Sequence, residues 1–515
     1  MSDAPTQAFD DACYLALKAR DPRFDGHFFT GVTSTGIYCR PVCRVRTPKR
    51  ENCRFFKQAA QAEQAGFRPC LRCRPELAPG RFGSAAALAV WSMQDASGIL
   101  AHQAAQLMEH WQPGTGSASV AAVALRLGIS DRHLRRIFSA QFGVSPLCYL
   151  QTNRLLSAKQ LLTDTRLSVA QVAQMSGFAS LRRFHAVFAK HYQLNPTQLR
   201  QSRPGATHGS ATQAGIEVAL AYRPPYDVAA MLQFFAQRAL VGSEVVTLAL
   251  QCKSFASTLR LSQGQQVFCG WLLARFDESR CRVQLTVSES LVEVLPAVMA
   301  RVRRLLDLDA DPQAINSLLH VSFPQGDGLR LPGALDGFAL AVRAVLGQQI
   351  SLAAARTLGQ RLLDQLGEPI DTPVAGLNRL FPGAPLLAGV RGDVLGQLGL
   401  VKQRQKAMAA LAQAVNCQSL QLSPGADLAQ TLAALLALPG IGDWTAQYIA
   451  MRALAWPDAF PSGDVALQKA LAVRNQPQPA KAALAAAKAW QPWRSYAVIR
   501  AWASLAVAPR IAEQR

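Results

Sequence analysis

Four cysteines, Cys39, Cys43, Cys70 and Cys73, set the tightest limit on what this chain can fold into. They read C-x3-C, a gap of twenty-six residues, then C-x2-C. Two close pairs on separate turns can place four thiolates tetrahedrally around one Zn²⁺. Such a clip closes a domain too small to rely on its own core. A purely structural zinc site satisfies this spacing by itself. Arginines crowd the same stretch, at Arg40, Arg44, Arg46, Arg50, Arg54, Arg68, Arg72 and Arg74. Cys13 and Cys53 fall outside the pattern and read as ordinary thiols.

Eleven cysteines in a short secreted chain would point to disulfides. Spread through 515 residues they favour metal or reactive thiols. That length allows three or more domains, each with its own core. No apolar run reaches membrane-spanning length and no signal peptide opens the chain, so a soluble, cytoplasmic protein with no membrane partner is expected. The formal charge of +21 calls for a polyanionic partner, and on charge alone DNA, RNA and an anionic membrane all qualify. Residues 81–205 concentrate it, with thirteen Lys/Arg against four Asp/Glu, a local net of +9.

That basic stretch carries a pattern twice. Ala85 to Trp111 reads as a long connecting helix. Val120 to Ser130 then gives a helix, a turn at Gly128 and a Ser N-cap, followed by a second helix, Asp131 to Phe138. Its apolar positions are Leu134, Ile137 and Phe138, and the rest is basic. The pattern returns as Ser168–Phe178 and Leu181–Phe188, and Gly143-Val-Ser-Pro146 and Leu194-Asn-Pro196 close the two units. A helix with arginines on its exposed face suits the major groove. Tandem units of this kind resemble the AraC-type DNA-binding domain, with Arg132, His133, Arg135, Arg182 and Arg183 as candidate DNA contacts. Gln201 to Gln213, rich in Pro, Gly, Ser and Thr, reads as a flexible linker.

Further on, Leu438-Pro-Gly-Ile-Gly442 has the form of a hairpin between two helices. Glycines there let a phosphate approach backbone N–H groups at a helix N-terminus. Trp444, Tyr448 and Met451 follow at i, i+4 and i+7, and Asp464 stands alone after a Pro-Ser-Gly turn. Each feature has a plain alternative: a simple connection, core aromatics, and a helix N-cap with Gln468 four residues on. Together they point to an enzyme that grips DNA and acts on a base turned out of the stack.

Leu438–Leu467 resembles the helix-hairpin-helix DNA glycosylase superfamily, and its surroundings are similar to 3-methyladenine DNA glycosylases of the AlkA type. Tyr222-Arg-Pro-Pro-Tyr-Asp227, Gly328-Leu-Arg-Leu-Pro-Gly333, Ala344–Ser351 and Trp490–Tyr496 carry that likeness from about Gly215 onward. It implies a small α+β domain followed by two helical domains around a cleft. It also implies Asp464 as catalytic carboxylate, Trp444, Tyr448 and Trp502 as base pocket, and Leu438, Gly440 and Gly442 as DNA grip. Gln349 falls where that family inserts an apolar wedge, a departure. Trp444 stands where strand-cutting relatives carry a Schiff-base lysine, and Cys417 is the last cysteine, so the iron–sulfur motif of those enzymes is missing. A monofunctional, cofactor-free glycosylase is expected.

Thr35-Gly-Ile-Tyr-Cys39-Arg-Pro-Val-Cys43-Arg-Val-Arg46, with Ala65-Gly-Phe-Arg-Pro-Cys70-Leu-Arg-Cys73, resembles the N-terminal domain of the alkylation-response protein Ada. The resemblance implies one zinc ion on the four cysteines, irreversible methyl transfer from a DNA methylphosphotriester to Cys39, and Arg46 at the DNA. Zinc would keep the sulfur a thiolate, and methylation would remove one negative charge near DNA, a switch toward tighter binding. The second Ada methyl acceptor, with its Pro-Cys-His-Arg motif, has no counterpart in the sequence.

The expected plan is multidomain, mainly α with α+β parts. It comprises a zinc methyl-acceptor domain (1–80), a tandem helix-turn-helix all-α domain (81–203), a linker (204–213), an α+β domain (214–315) and a helix-hairpin-helix glycosylase domain (316–515). The expected function joins excision of alkylated bases to transcriptional regulation. Double-stranded DNA, both alkylated and promoter, is the partner, activation implies RNA polymerase, and the setting is the bacterial nucleoid. Two rivals remain open: a regulator whose C-terminal part does not catalyse, and a glycosylase whose zinc module is purely structural.

Overall fold

The computed structural model describes residues 4–80, 96–109, 119–201, 215–249, 251–264, 266–422 and 426–507. Among them no helix is long and apolar enough to cross a membrane.

The N-terminal module packs helix Ala4–Ala19 beside a four-stranded sheet in the order Cys53–Phe56, Phe29–Val32, Ile37–Cys39, Arg68–Pro69. The first three strands are antiparallel and the last is parallel to its neighbour. Its core is thin, centred on Phe29, Tyr38, Ala59, Ala62 and Phe67, as expected of a module that needs a further clip.

Serines punctuate the basic region. Ser130, Ser145, Ser168 and Ser180 each accept the N–H three residues on, satisfying a donor that a helix start leaves unpaired. They open Asp131–Phe142, Pro146–Asp164, Val169–Met175 and Leu181–Tyr192, and with Val120–Arg126 these helices make the two expected units. Gly143, at φ +66°, stops Asp131–Phe142 four residues beyond the expected end. Of the expected connecting helix, Ala96–Glu109 is helical, while 85–95 and 110–111 lie outside the described residues. The expected linker likewise lies outside them beyond Gln201, the last residue of helix Pro196–Gln201.

The next part is a five-stranded antiparallel sheet in the order Ile216–Ala221, Arg282–Val287, Gln266–Asp277, Cys252–Gln263, Glu244–Ala249. Helices Val228–Ala236 and Leu295–Leu305 contribute to its core. Asp227 caps the first of these, its side chain accepting the Ala230 N–H. One continuous core joins this sheet to the second helix-turn-helix unit: Leu155, Phe184, Phe188 and Tyr192 are buried in the same cluster as Leu220, Leu285 and Val298.

The remaining helices form two cores. Gly337–Leu346, Lys402–Asn416 and one face of Asp443–Arg452 build one. Pro312–Leu319, Pro479–Ala487 and Arg494–Val507 build the other. Helix Asp443–Arg452 is the partition, giving Ala446 and Ile449 to the first core, and Ala450 and Met451 to the second.

Candidate active site and metal centre

The hairpin joins helix Leu428–Leu436 to helix Asp443–Arg452. Gly440 adopts φ +77°, and a Cβ there would lie 3.0 Å from that of Ala407, so glycine is required on both counts. Gly442 caps the second helix with extended backbone and no side-chain hydrogen bond, so the first-turn N–H groups are open to an anion. Leu438 differs from its two neighbours: its N–H is given to Leu435 O and its side chain packs on the first helical core. It supports the turn, and the exposed glycines present it.

Trp444 and Tyr448 stack with centroids 5.4 Å apart and planes 11° from parallel. That spacing leaves no room for a third ring between them. Met451, expected on the same face, is fully buried, because the last turn of the helix enters the second core. Tyr448 packs against both cores, and Trp502 lies 6.4 Å from it, tilted by 45°. The three aromatics thus meet at the seam.

Asp464 completes the seam from the other side. It caps helix Val465–Ala470, with Oδ1 accepting the Leu467 N–H at 2.7 Å. The same carboxylate accepts the Trp502 indole N–H on Oδ1 at 3.0 Å and the Trp444 indole N–H on Oδ2 at 2.9 Å. The N-cap reading and the site reading therefore describe one residue. Gln468 takes no part in the cap and donates to Ser462 O. Three N–H donors fix the acid's orientation.

Gln349, the wedge candidate, is exposed in the turn after helix Gly337–Leu346, with its backbone in the left-handed region at φ +56°. A non-glycine residue held there costs free energy, and such residues gather at functional sites.

In the N-terminal module the four candidate sulfurs lie within 4.8 Å of one another. Tetrahedral zinc–thiolate bonds of about 2.3 Å place sulfurs about 3.8 Å apart, so the set fits a single dication. Four thiolates this close without one would repel strongly. Cys39, Cys43 and Cys70 are buried and Cys73 half-buried. Cys39 ends strand Ile37–Cys39 and is 6 % exposed, a narrow approach for any reacting partner. Arg46 is exposed, whereas Arg40 and Arg74 are buried structural cations: Arg40 pairs with Asp25, and Arg74 with Glu76 and Asp164.

On the helix-turn-helix units Arg132, Arg135, Arg182 and Arg183 are exposed and His133 half-buried. Arg135 is bonded to Asp131 at 2.8 Å and Arg136 to His133 at 3.1 Å, so contact with DNA by either Arg135 or His133 exchanges an existing partner.

Three family models match the chain: the metal binding domain of Ada over residues 12–76, a helix-turn-helix domain over 123–202 and the AlkA N-terminal domain over 217–336. A probable bifunctional transcriptional activator/DNA repair enzyme AlkA from Mycobacterium tuberculosis is 35% identical over 503 residues, covering 96% of each chain. This chain belongs to that family of bifunctional activator/repair proteins. Two further relatives each match part of its length. DNA-3-methyladenine glycosylase 2 of Escherichia coli is 33% identical over 283 residues, 55% of this chain and 95% of its own. The Escherichia coli activator/repair enzyme Ada is 37% identical over 153 residues, 30% of this chain and 38% of its own.

Three residues of this family member escaped the sequence reading. Gln348, next to the wedge candidate, donates from Nε2 to Gly440 O at 2.8 Å and to Thr445 Oγ1 at 3.0 Å, and so ties the wedge turn to the hairpin. Arg404 Nη2 donates to Gln348 O. Arg452 donates to the Tyr448 hydroxyl at 2.7 Å and to the Pro332 and Gly333 carbonyls. Burial pushes the Tyr448 phenol up, but the Arg452 and Arg238 guanidiniums outweigh it and hold the group below its usual range. Only the Gln348-Gln349 pair beside a helix end hinted at any of this.

Proposed function

We propose that this chain removes alkylated bases of the 3-methyladenine type from double-stranded DNA through Asp464. We further propose that it takes a methyl group from DNA methylphosphotriesters onto Cys39, an event that activates sequence-specific regulation through its helix-turn-helix units. The observation that carries the first part is the Asp464 carboxylate, held by three N–H donors at an aromatic seam beside an uncapped helix.

A base alkylated at N3 or N7 is cationic and leaves with the electrons of the glycosidic bond. Asp464 then faces an oxocarbenium-like sugar, whose charge an oriented carboxylate stabilises while water adds to the anomeric carbon. The outer faces of Trp444 and Trp502 would receive the electron-poor base, at about 0.5–2 kcal/mol per cation–π contact. Gly440 and Gly442 would take the phosphate and Gln349 would fill the gap in the stack. No lysine stands at position 444, so no imine forms there and strand cleavage is not part of the reaction.

In the N-terminal module Cys39, Cys43, Cys70 and Cys73 would hold one Zn²⁺, which would keep sulfur ionised at neutral pH. The Cys39 thiolate forms a bond to the methyl carbon, the methyl–oxygen bond breaks, and the phosphodiester leaves as its anion. The sulfur becomes a neutral thioether, so the cluster loses one negative charge and binding to DNA tightens. A methylated module on promoter DNA would bring the protein to RNA polymerase.

Asp464→Asn tests the excision step. Asn is as good an N-cap as Asp, so helix Val465–Ala470 keeps its start while the charge and the acceptor for the Trp444 indole N–H are lost. Single-turnover release of 3-methyladenine should fall by at least about 10²–10³-fold, with affinity for undamaged duplex unchanged. Release at the wild-type rate would leave the C-terminal half a binding domain.

A further inference from the structure

The N-terminal module is bonded directly to the repair half, chiefly through one side chain. Arg223, in the Tyr-Arg-Pro-Pro-Tyr stretch, is 1 % exposed although it carries a charge. Nε donates to Asp25 O at 2.7 Å, and Nη2 to Pro79 O at 3.0 Å and Gly80 O at 2.7 Å, all in the cysteine module. Nη1 donates to Asp309 O at 2.9 Å and Ala310 O at 3.1 Å in the repair half. A guanidinium has five N–H donors, and here each meets a backbone carbonyl, three on one module and two on the other. Asp309 Oδ1 accepts the Gly80 N–H at 2.6 Å, and His27 lies 3.5 Å from Asp311.

The surface is shaped for this contact. At Gly26, with φ +78°, a Cβ would come 2.2 Å from Pro79 O and 2.9 Å from Arg223 Nη2; at Gly80 it would come 3.1 Å from the Asp309 carboxylate. The Pro79 contact lies within the cysteine module, whereas side chains at these positions would also crowd Arg223 and Asp309 across the boundary. The bonded path also reaches the cysteine cluster. Arg40, whose backbone N–H points at Cys73 Sγ at 3.3 Å, donates from Nη1 to Cys73 O and from Nε to the Asp25 carboxylate. Asp25 is the residue whose carbonyl receives Arg223. Burial lowers the Arg223 guanidinium to about 10, with Asp311, Asp309 and Asp25 opposing that and Arg330 adding to it, so it remains a cation at neutral pH.

We propose that this face of the repair half is a docking surface for the chain's own four-cysteine module. Arg223 is the clamp, and loading of the cluster with metal stabilises the repair half. The proposal rests on the metal reading of the cluster. A metal that organises Cys39, Cys43, Cys70 and Cys73 also organises Arg40 and Asp25, and so the carbonyls that Arg223 needs. Whatever unfolds together with the metal site gains stability from the bound metal.

The tryptophans make this testable in the full-length protein. None of the eight lies in residues 1–80, and six, from Trp271 to Trp502, lie in the repair half. Metal content is measured first, then tryptophan-reported melting with and without a zinc chelator, for the wild type and Arg223→Ala. In the wild type, removing the metal should lower the melting temperature by roughly 2–4 °C or more. In Arg223→Ala, which starts lower, the chelator-induced shift should shrink to less than half. If the alanine variant fails to fold, Arg223→Gln is expected to show the same smaller shift. An unchanged wild-type melting temperature after proven metal loss would overturn the docking proposal while leaving the metal reading intact, as would a full chelator shift in the Arg223 variant. Protein that carries no metal as purified would overturn both.

Discussion

At the scale of single residues, Asp464 shows how one side chain answers two descriptions. As an N-cap it contributes about 1 kcal/mol to a short helix, and alanine there would confuse lost structure with lost chemistry. Asparagine keeps the cap and removes the charge, losing only the acceptor of the Trp444 indole N–H. Asp307 makes the opposite point about buried carboxylates. It is half-buried, adopts φ +50°, and accepts the Tyr496 hydroxyl at 2.9 Å and the Leu331 N–H at 3.1 Å. Burial raises its carboxyl to about 6, against the opposing pull of Arg330 and these donors. The folded state therefore binds this proton more tightly than the unfolded chain does. Stability from this group is greatest below the unfolded value near 4, falls as pH rises to about 6, and is level above it. Asp307→Asn keeps the acceptor and tolerates the left-handed backbone. It should remove that slope and raise stability at pH 7 by on the order of 1–3 kcal/mol, read from urea unfolding at pH 4 to 8. A less stable variant at pH 7 would contradict this.

At the scale of elements, the wedge turn and the hairpin work as a pair because Gln348 bonds one to the other. Gln348→Ala removes two hydrogen bonds at an exposed turn, each contributing about 0.5–1.5 kcal/mol. Excision from duplex DNA should slow by roughly 5–30-fold, the equivalent of about 1–2 kcal/mol. DNA in which the lesion is already unpaired should be affected much less, and equal losses on both substrates would place Gln348 outside base extrusion. The hairpin, its glycines, the Ser130 cap and both helix-turn-helix units were legible because each rests on local backbone chemistry. Strand Cys252–Gln263 was not. It lies inside the sheet with residues 254–259 all buried, so the alternation that marks a half-buried strand is erased. Edge strand Ile216–Ala221 is hidden for the same reason, with its last four residues buried. The indole bonds from Trp444 and Trp502 to Asp464 were equally hidden, since spacing shows that aromatics share a face but not where an N–H points.

At the scale of the whole molecule, periodicity shows which face of a helix is apolar but not which partner covers it. Phe184 and Phe188 were readable as the buried side of a helix-turn-helix, yet the core they join belongs partly to the sheet that begins at Ile216. Gln160, on the long helix between the two units, donates to Ala219 O at 2.9 Å and strengthens that junction. A tether between regulator and repair half is therefore not the only connection; they are packed and bonded. The central claim is that one chain both excises a damaged base and records damage on a cysteine. The direct measurement is a single reaction of the purified protein with methylated DNA, followed by analysis of released bases and of the Cys39 peptide mass. The account predicts free 3-methyladenine together with one added methyl on Cys39. Base release with Cys39 unmodified would reduce the N-terminal module to a DNA-binding metal domain, and a methylated Cys39 without released base would contradict the role given to Asp464.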